Sequence, residues 1–209
     1  MKNFKAGVVW SMVALRVLLC PVMIWGAKAG WSSIWLAAIV VIALVDDVYD
    51  GVVARRWGCD TPTMRMSDSL ADTVFYLGVA AALWIREPKV LRDNWILISA
   101  LFALEGARYV FDLKKFGRAA SYHSYMAKAW GLILAAAMVG VFAFGGFRVM
   151  VPIAAAWGIL VNLEGWTMSI MLPRWKNDVK TLPRAWALRK NMLNEITSSR
   201  KRARTTIAA

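Results

Sequence analysis

Cysteine and histidine are nearly missing from this chain. Two cysteines, Cys20 and Cys59, among 209 residues provide neither a disulfide framework nor a thiolate metal cluster. The one histidine, His123, falls in a loop and is no basis for imidazole catalysis. Acids are scarce too, thirteen against twenty-six lysines and arginines, which leaves a net charge of +13. No RNA- or DNA-binding motif accompanies that charge, so nucleic acid is not an expected partner. No polar linker is long enough to split the apolar part of the chain into two domains.

What is present is apolar surface. The chain is 59% hydrophobic with twelve tryptophans, and its mean hydropathy is positive. Few soluble domains carry so much. Apolar segments lie near 8–26, 34–45, 73–85, 95–111, 129–147 and 149–172. A helix needs about 20 residues to cross the hydrocarbon core, so the shorter runs must recruit their polar ends. The pattern predicts an all-α integral membrane protein, a bundle of six transmembrane helices over residues 1–172. Residues 173–209 follow as a basic cytoplasmic tail.

Lysine and arginine orient the bundle. With the N-terminus inside, outer loops hold only Lys28, Arg86, Lys89, Arg92 and Arg148, which leaves twenty-one of twenty-six on the inner side. Positive residues are retained in the cytoplasm during insertion, so both termini are expected there. The site would then face the cytoplasm from the inner membrane. The tail carries ten basic and two acidic residues and suits contact with anionic membrane lipids. Its "SSRKRARTT" end reads as unstructured. The N-terminal stretch imitates a signal peptide, but Arg16 interrupts the apolar region, so it is read as a retained first helix.

Six of the thirteen acids crowd into residues 45–72. The runs on either side span the membrane only by drawing this stretch into helix. Counting inward at 1.5 Å per residue puts Asp47 and Asp72 each about 9 Å below the inner boundary. Asp50 and Asp68 come out about 3–5 Å deep. Two antiparallel helices thus present carboxylates at matched depths. Asp47, Asp50, Gly51, Ala54 and Arg55 share one broad face, and Asp68 and Asp72 lie one turn apart. Gly58 signals a turn, and Thr61 followed by Pro62 signals a new helix. Four such carboxylates would repel one another and lose hydration. Arg55, Arg56 and Arg65 offset part of the charge, and one or two hard divalent cations, Mg2+ or Mn2+, suit an all-oxygen site.

Residue by residue the stretch reads Asp47-x2-Asp50-Gly51-x2-Ala54-Arg55-x8-Met64-x3-Asp68-x3-Asp72. This resembles the signature of the CDP-alcohol phosphotransferase family, D-x2-D-G-x2-A-R-x8-G-x3-D-x3-D, in its small bacterial six-helix type. Only Met64 departs, where the family has its second glycine. Arg16 and Pro21 resemble the family's R-x4-P in the first helix, although Trp10 and Val13 replace the asparagine and threonine that often precede it. Lys128 falls where members often open the fifth helix with a basic residue.

The resemblance implies a membrane enzyme of phospholipid synthesis. It would move a phosphatidyl group from a CDP-linked donor, CDP-diacylglycerol, to a small polar alcohol and release CMP. By the same analogy Asp47, Asp50, Asp68 and Asp72 hold two Mg2+ or Mn2+ ions, and Asp72 is also the base. Asp50, Gly51, Ala54 and Arg55 would bind the nucleotide, and a homodimer is implied. Glycerol 3-phosphate is the favoured acceptor; inositol phosphate, inositol and serine are alternatives. Met64 reshapes the pocket, changes the substrate, or marks a non-catalytic relative.

Arg108, Arg118 and Lys128 are candidates for gripping a phosphorylated acceptor. The alternative for Glu105, Arg108 and Asp112 is an ion-paired helix end. Asn162 and Glu164, inside the last apolar run, read as packing groups. Two rival functions stand beside this one. A membrane prenyltransferase would use "DDVYD" and "DSLAD", but would leave Gly51, Ala54 and Arg55 as coincidences. An ion transporter would place its acids nearer the midplane.

Overall fold

A computed structural model describes the backbone of residues 2–207 and the side chains of residues 4–199. Among the described residues there are eight helices and no strand. They are α1 (Lys2–Lys28), α2 (Ser33–Trp57), α3 (Pro62–Arg86), α4 (Pro88–Asp93), α5 (Trp95–Phe116), α6 (Tyr125–Phe144), α7 (Met150–Met171) and α8 (Leu182–Ile207).

Three helical stretches are both long and apolar enough to cross a membrane: Phe4–Lys28, Pro62–Arg86 and Tyr125–Phe144. The helices α2, α5 and α7 have 25, 22 and 22 residues. The acids and arginines of α2 lower its hydropathy without shortening it. Beyond the six apolar segments read from the sequence stand the short α4 and the long α8. The "SSRKRARTT" segment, expected to be unstructured, continues α8 as far as Ile207. Nothing breaks that helix, because the sequence has no proline or glycine after Pro183.

The turn between α2 and α3 follows its residue chemistry. Gly58 takes the left-handed conformation, φ 67°, that closes α2. Thr61 then caps α3, its side-chain oxygen accepting the Met64 N–H at 3.2 Å. Pro62 occupies the first turn, where its missing N–H costs nothing.

The chain divides into two compact units. Met1–Ser99 with Trp130–Trp157 forms one, and Ala100–Ala129 with Gly158–Ala209 the other. The core of the first unit joins Met23, Leu36, Val40, Phe75, Val79 and Leu83 to Ala137, Val141 and Phe142. Here α1 and α3 run in the same direction at close quarters. A Cβ on Gly78 would stand 2.7 Å from Cys20 Sγ and 3.0 Å from its Cα, so only glycine permits this approach. That contact fixes the depth of α1 beside the acid-bearing helices, and Arg16 lies one turn before Cys20.

The second unit is built around Tyr122, Met168, Leu172, Val179 and Ala185, all buried. Polar bonds hold its connecting loop. Tyr122 Oη and Ser169 Oγ lie 2.9 Å apart, and Ser124 Oγ donates to Glu164 Oε2 at 2.6 Å. Lys115 Nζ donates to the carbonyls of Ser169 and Ile170 at 2.7 and 3.0 Å, satisfying the open end of α7. Burial away from water pushes the Tyr122 phenol up to about 12, so it stays neutral.

Candidate functional site

The site is assembled by α1, α2 and α3. Helix α2 supplies Asp46, Asp47 and Asp50, and α3 supplies Asp68 and Asp72. Donor atoms of Asp47, Asp50 and Asp68 lie within 4.8 Å of one another. Acids of the two helices therefore lie together in one cluster.

At its centre is a residue the sequence reading did not place there. Arg16 of α1 is wholly buried. Its Nη1 donates to Asp47 at 2.9 Å and also to Asp72. Its Nη2 donates to Asp50 and Asp68. Nε lies 3.4 Å from Asp46 Oδ2, an ion-pair distance with no hydrogen bond formed. All four motif aspartates thus share one guanidinium. Arg65, expected to offset part of the charge of this stretch, pairs with Asp60. A signal for Arg16 was available, since a lone arginine in a long apolar helix must find an anionic partner.

Five carboxyl groups offer ten oxygens, whereas one guanidinium has five N–H donors in a planar fork. The account cannot balance, and the geometry shows where it fails. Asp50 is 1% exposed, yet its Oδ1 has no hydrogen-bond partner. An all-oxygen donor set with an orphaned buried carboxylate oxygen fits a hard divalent cation.

The residues expected to bind nucleotide separate into two groups. Gly51 faces Arg55, whose Nη1 would lie 3.3 Å from a Cβ added there, so this arginine arches over the bare helix surface beside Asp50. Ala54 instead turns into an apolar cluster with Val9, Val13, Met64 and Ala71. Met64 is 4% exposed and fills the space between α1 and α2 that a glycine would leave. Restoring the motif glycine should therefore weaken the fold. Met64→Gly is expected to cost about 3–5 kcal/mol, from the cavity and the poorer helix former, read as a lower midpoint in thermal unfolding.

The acceptor candidates all belong to the second unit. Arg108 Nε donates to Asn162 Oδ1 at 3.3 Å, and its Nη1 donates to the Ala120 carbonyl at 3.3 Å. The same Nη1 stands 3.6 Å from buried Asp112, the helix-end ion pair that was the alternative reading. Arg118 stacks over Trp175, 4.5 Å from the ring centre. Lys128 donates its backbone N–H to the Ser124 carbonyl at 3.1 Å in the first turn of α6. Asn162 and Glu164 serve hydrogen bonds as well as packing. His123 Nε2 lies 2.9 Å from Ser121 Oγ, and its carbonyl accepts from Lys180 Nζ at 3.5 Å.

Comparison with known proteins agrees with the motif. The sequence profile of the CDP-alcohol phosphatidyltransferase family matches residues 11–173. A CDP-diacylglycerol–glycerol-3-phosphate 3-phosphatidyltransferase of Escherichia coli (strain K12) is 29% identical over 133 residues, 57% of this chain and 72% of that one. The protein of the same description from Shigella flexneri serotype 5b (strain 8401) has the same identity and coverage. No solved structure matches the chain.

Proposed function

The chain belongs to the CDP-alcohol phosphatidyltransferase family, and from that premise we propose that it transfers a phosphatidyl group from CDP-diacylglycerol to glycerol 3-phosphate, releasing CMP. The convergence of Asp47, Asp50, Asp68 and Asp72 on one point carries the reading. The relatives' descriptions support this donor and acceptor.

Asp72 takes the proton from the acceptor hydroxyl as that oxygen attacks the phosphatidyl phosphorus. A new P–O bond forms, the bond to the CMP oxygen breaks, and CMP leaves with the electron pair. Two Mg2+ or Mn2+ ions held by Asp47, Asp50, Asp68 and Asp72 would neutralise attacking and leaving oxygens. Gly51 keeps the helix surface low enough for the nucleotide to approach. Arg55 supplies donors to its diphosphate. Ala54 acts beneath them, by keeping α2 close to Met64. Arg108, Arg118 and Lys128 are the proposed grip on the acceptor's phosphate.

The bundle is proposed to cross the membrane six times, through α1, α2, α3, α5, α6 and α7, with both termini cytoplasmic. Twenty-two residues of helix extend about 33 Å, enough for the hydrocarbon core. Residues 173–209 would lie along the inner leaflet. In α8, exposed Trp186 and Leu193 lie two turns apart on one side, with Arg189 and Lys190 between them. A reporter fused beyond Ile207 should be active only as a cytoplasmic fusion; periplasmic activity would refute the topology.

The acceptor is identified by supplying CDP-diacylglycerol and Mg2+ with labelled glycerol 3-phosphate, inositol phosphate, inositol or serine, then counting label in the lipid phase. Incorporation of glycerol 3-phosphate alone supports the reading, and incorporation of another alcohol alone overturns the acceptor assignment. Arg118→Ala should raise KM for glycerol 3-phosphate about tenfold with kcat little changed, the cost of one charge-assisted bond.

A further inference from the structure

We propose that Arg16 is the resident counter-cation of the aspartate cluster and exchanges with a divalent ion over the same oxygens. The inference rests on the metal-dependent reading above and gives Arg16 a positioning role within it. Asp47, Asp50 and Asp68, the three residues whose donor atoms approach within 4.8 Å, all contact this one guanidinium. Like charges do not gather in a buried place unless a cation holds them. Here the cation arrives from α1, at a depth set by the Cys20–Gly78 contact.

A guanidinium and a metal ion make incompatible demands on these oxygens. The guanidinium is a flat, singly charged fork that reaches oxygens at hydrogen-bond distance. Mg2+ requires near-octahedral oxygens at about 2.1 Å. Both cannot be satisfied by the same faces of Asp47, Asp50 and Asp68. Arg16 therefore preserves the cluster while the ion is away, and gives up part of its bonding when the ion arrives. Its freed N–H groups would then be available to an anionic substrate.

Exchange has a signature that a simple structural role lacks: apo stability and metal affinity move in opposite directions. Mn2+ binding to the purified protein is measured by electron paramagnetic resonance, and unfolding midpoints are recorded with chelator and with Mg2+. In Arg16→Gln the chelator midpoint should fall by about 10 °C, because buried acids lose their partner, and Mg2+ should restore most of it. Mn2+ should bind that variant about tenfold more tightly, since the competing cation is gone. Arg16→Lys keeps the charge without the fork, and should lie between wild type and Arg16→Gln in both measurements. It also serves if the glutamine variant does not fold.

Mn2+ binding to the variants that is unchanged or weaker would overturn the exchange while leaving the proposed reaction intact. If wild-type protein binds no Mn2+, both the exchange and the metal-dependent reading fall.

Discussion

Asp72→Asn is expected to lower CMP release by about 10²–10⁴-fold, the usual contribution of a positioned general base. The amide is nearly the same size, so the effect is not one of packing. Asparagine cannot accept the acceptor's proton. It can still accept a hydrogen bond from Arg16, which contacts Asp72 through Nη1. Asp72 also lies outside the group of three whose donor atoms fall within 4.8 Å. Mn2+ binding at those three should therefore survive, with only the share held by Asp72 weakened. A loss of turnover much larger than the loss of metal separates its role as base from its role as ligand. Equal loss of both would remove its assignment as base.

Asp50→Asn should behave differently, with loss of Mn2+ binding and of turnover together, the latter again by about 10²-fold or more. Asp50 is the most buried of the motif acids, and its Oδ1 alone among their side-chain oxygens is buried without a hydrogen-bond partner. An amide there removes a charged ligand from the middle of the cluster. It also relieves repulsion among the remaining acids, so the metal-free protein should unfold at an equal or higher temperature. Raised stability with abolished metal binding is the pattern of a site that carries strain for function. Metal binding at wild-type strength in this variant would rule out Asp50 as a ligand.

The contrast between these two residues bears on what the sequence could show. Spacing alone brought out the motif aspartates, and the ends of α2 and α3 were legible because Gly58, Thr61 and Pro62 act through their own backbones. Local chemistry of this kind does not depend on tertiary structure. Arg16 does. Its partners lie 31 to 56 residues away, and an apolar helix reveals that its charge needs a partner without naming one. Asp46, which the motif does not include, also faces Arg16.

Met64 illustrates the same limit. The sequence marks it as a break in pattern, and marks Val13, in the first helix, as another departure. Neither mark says that the two meet. In the folded chain they belong to one apolar cluster with Val9, Ala54 and Ala71. A larger side chain at Met64 and an apolar one at Val13 line a single space between α1, α2 and α3. The methionine is thus matched by its surroundings.

The helix count was less legible for a physical reason. Hydropathy penalises the charges of α2, whereas the fold buries Asp50 among its neighbours and leaves Ile34, Trp35, Val41 and Ile42 facing outward. The apolar surface is thus available to lipid on one side, with the acids turned to α1 and α3.

The central claim, that these aspartates perform transfer from a CDP-linked lipid, is tested most directly by one assay. Purified protein is incubated with CDP-diacylglycerol, glycerol 3-phosphate and Mg2+, and CMP is measured against new lipid phosphate. The account predicts one CMP for each lipid product, dependent on the acceptor and the ion, and abolished by Asp72→Asn. No CMP from any CDP-linked donor, together with consumption of a prenyl diphosphate, would contradict it.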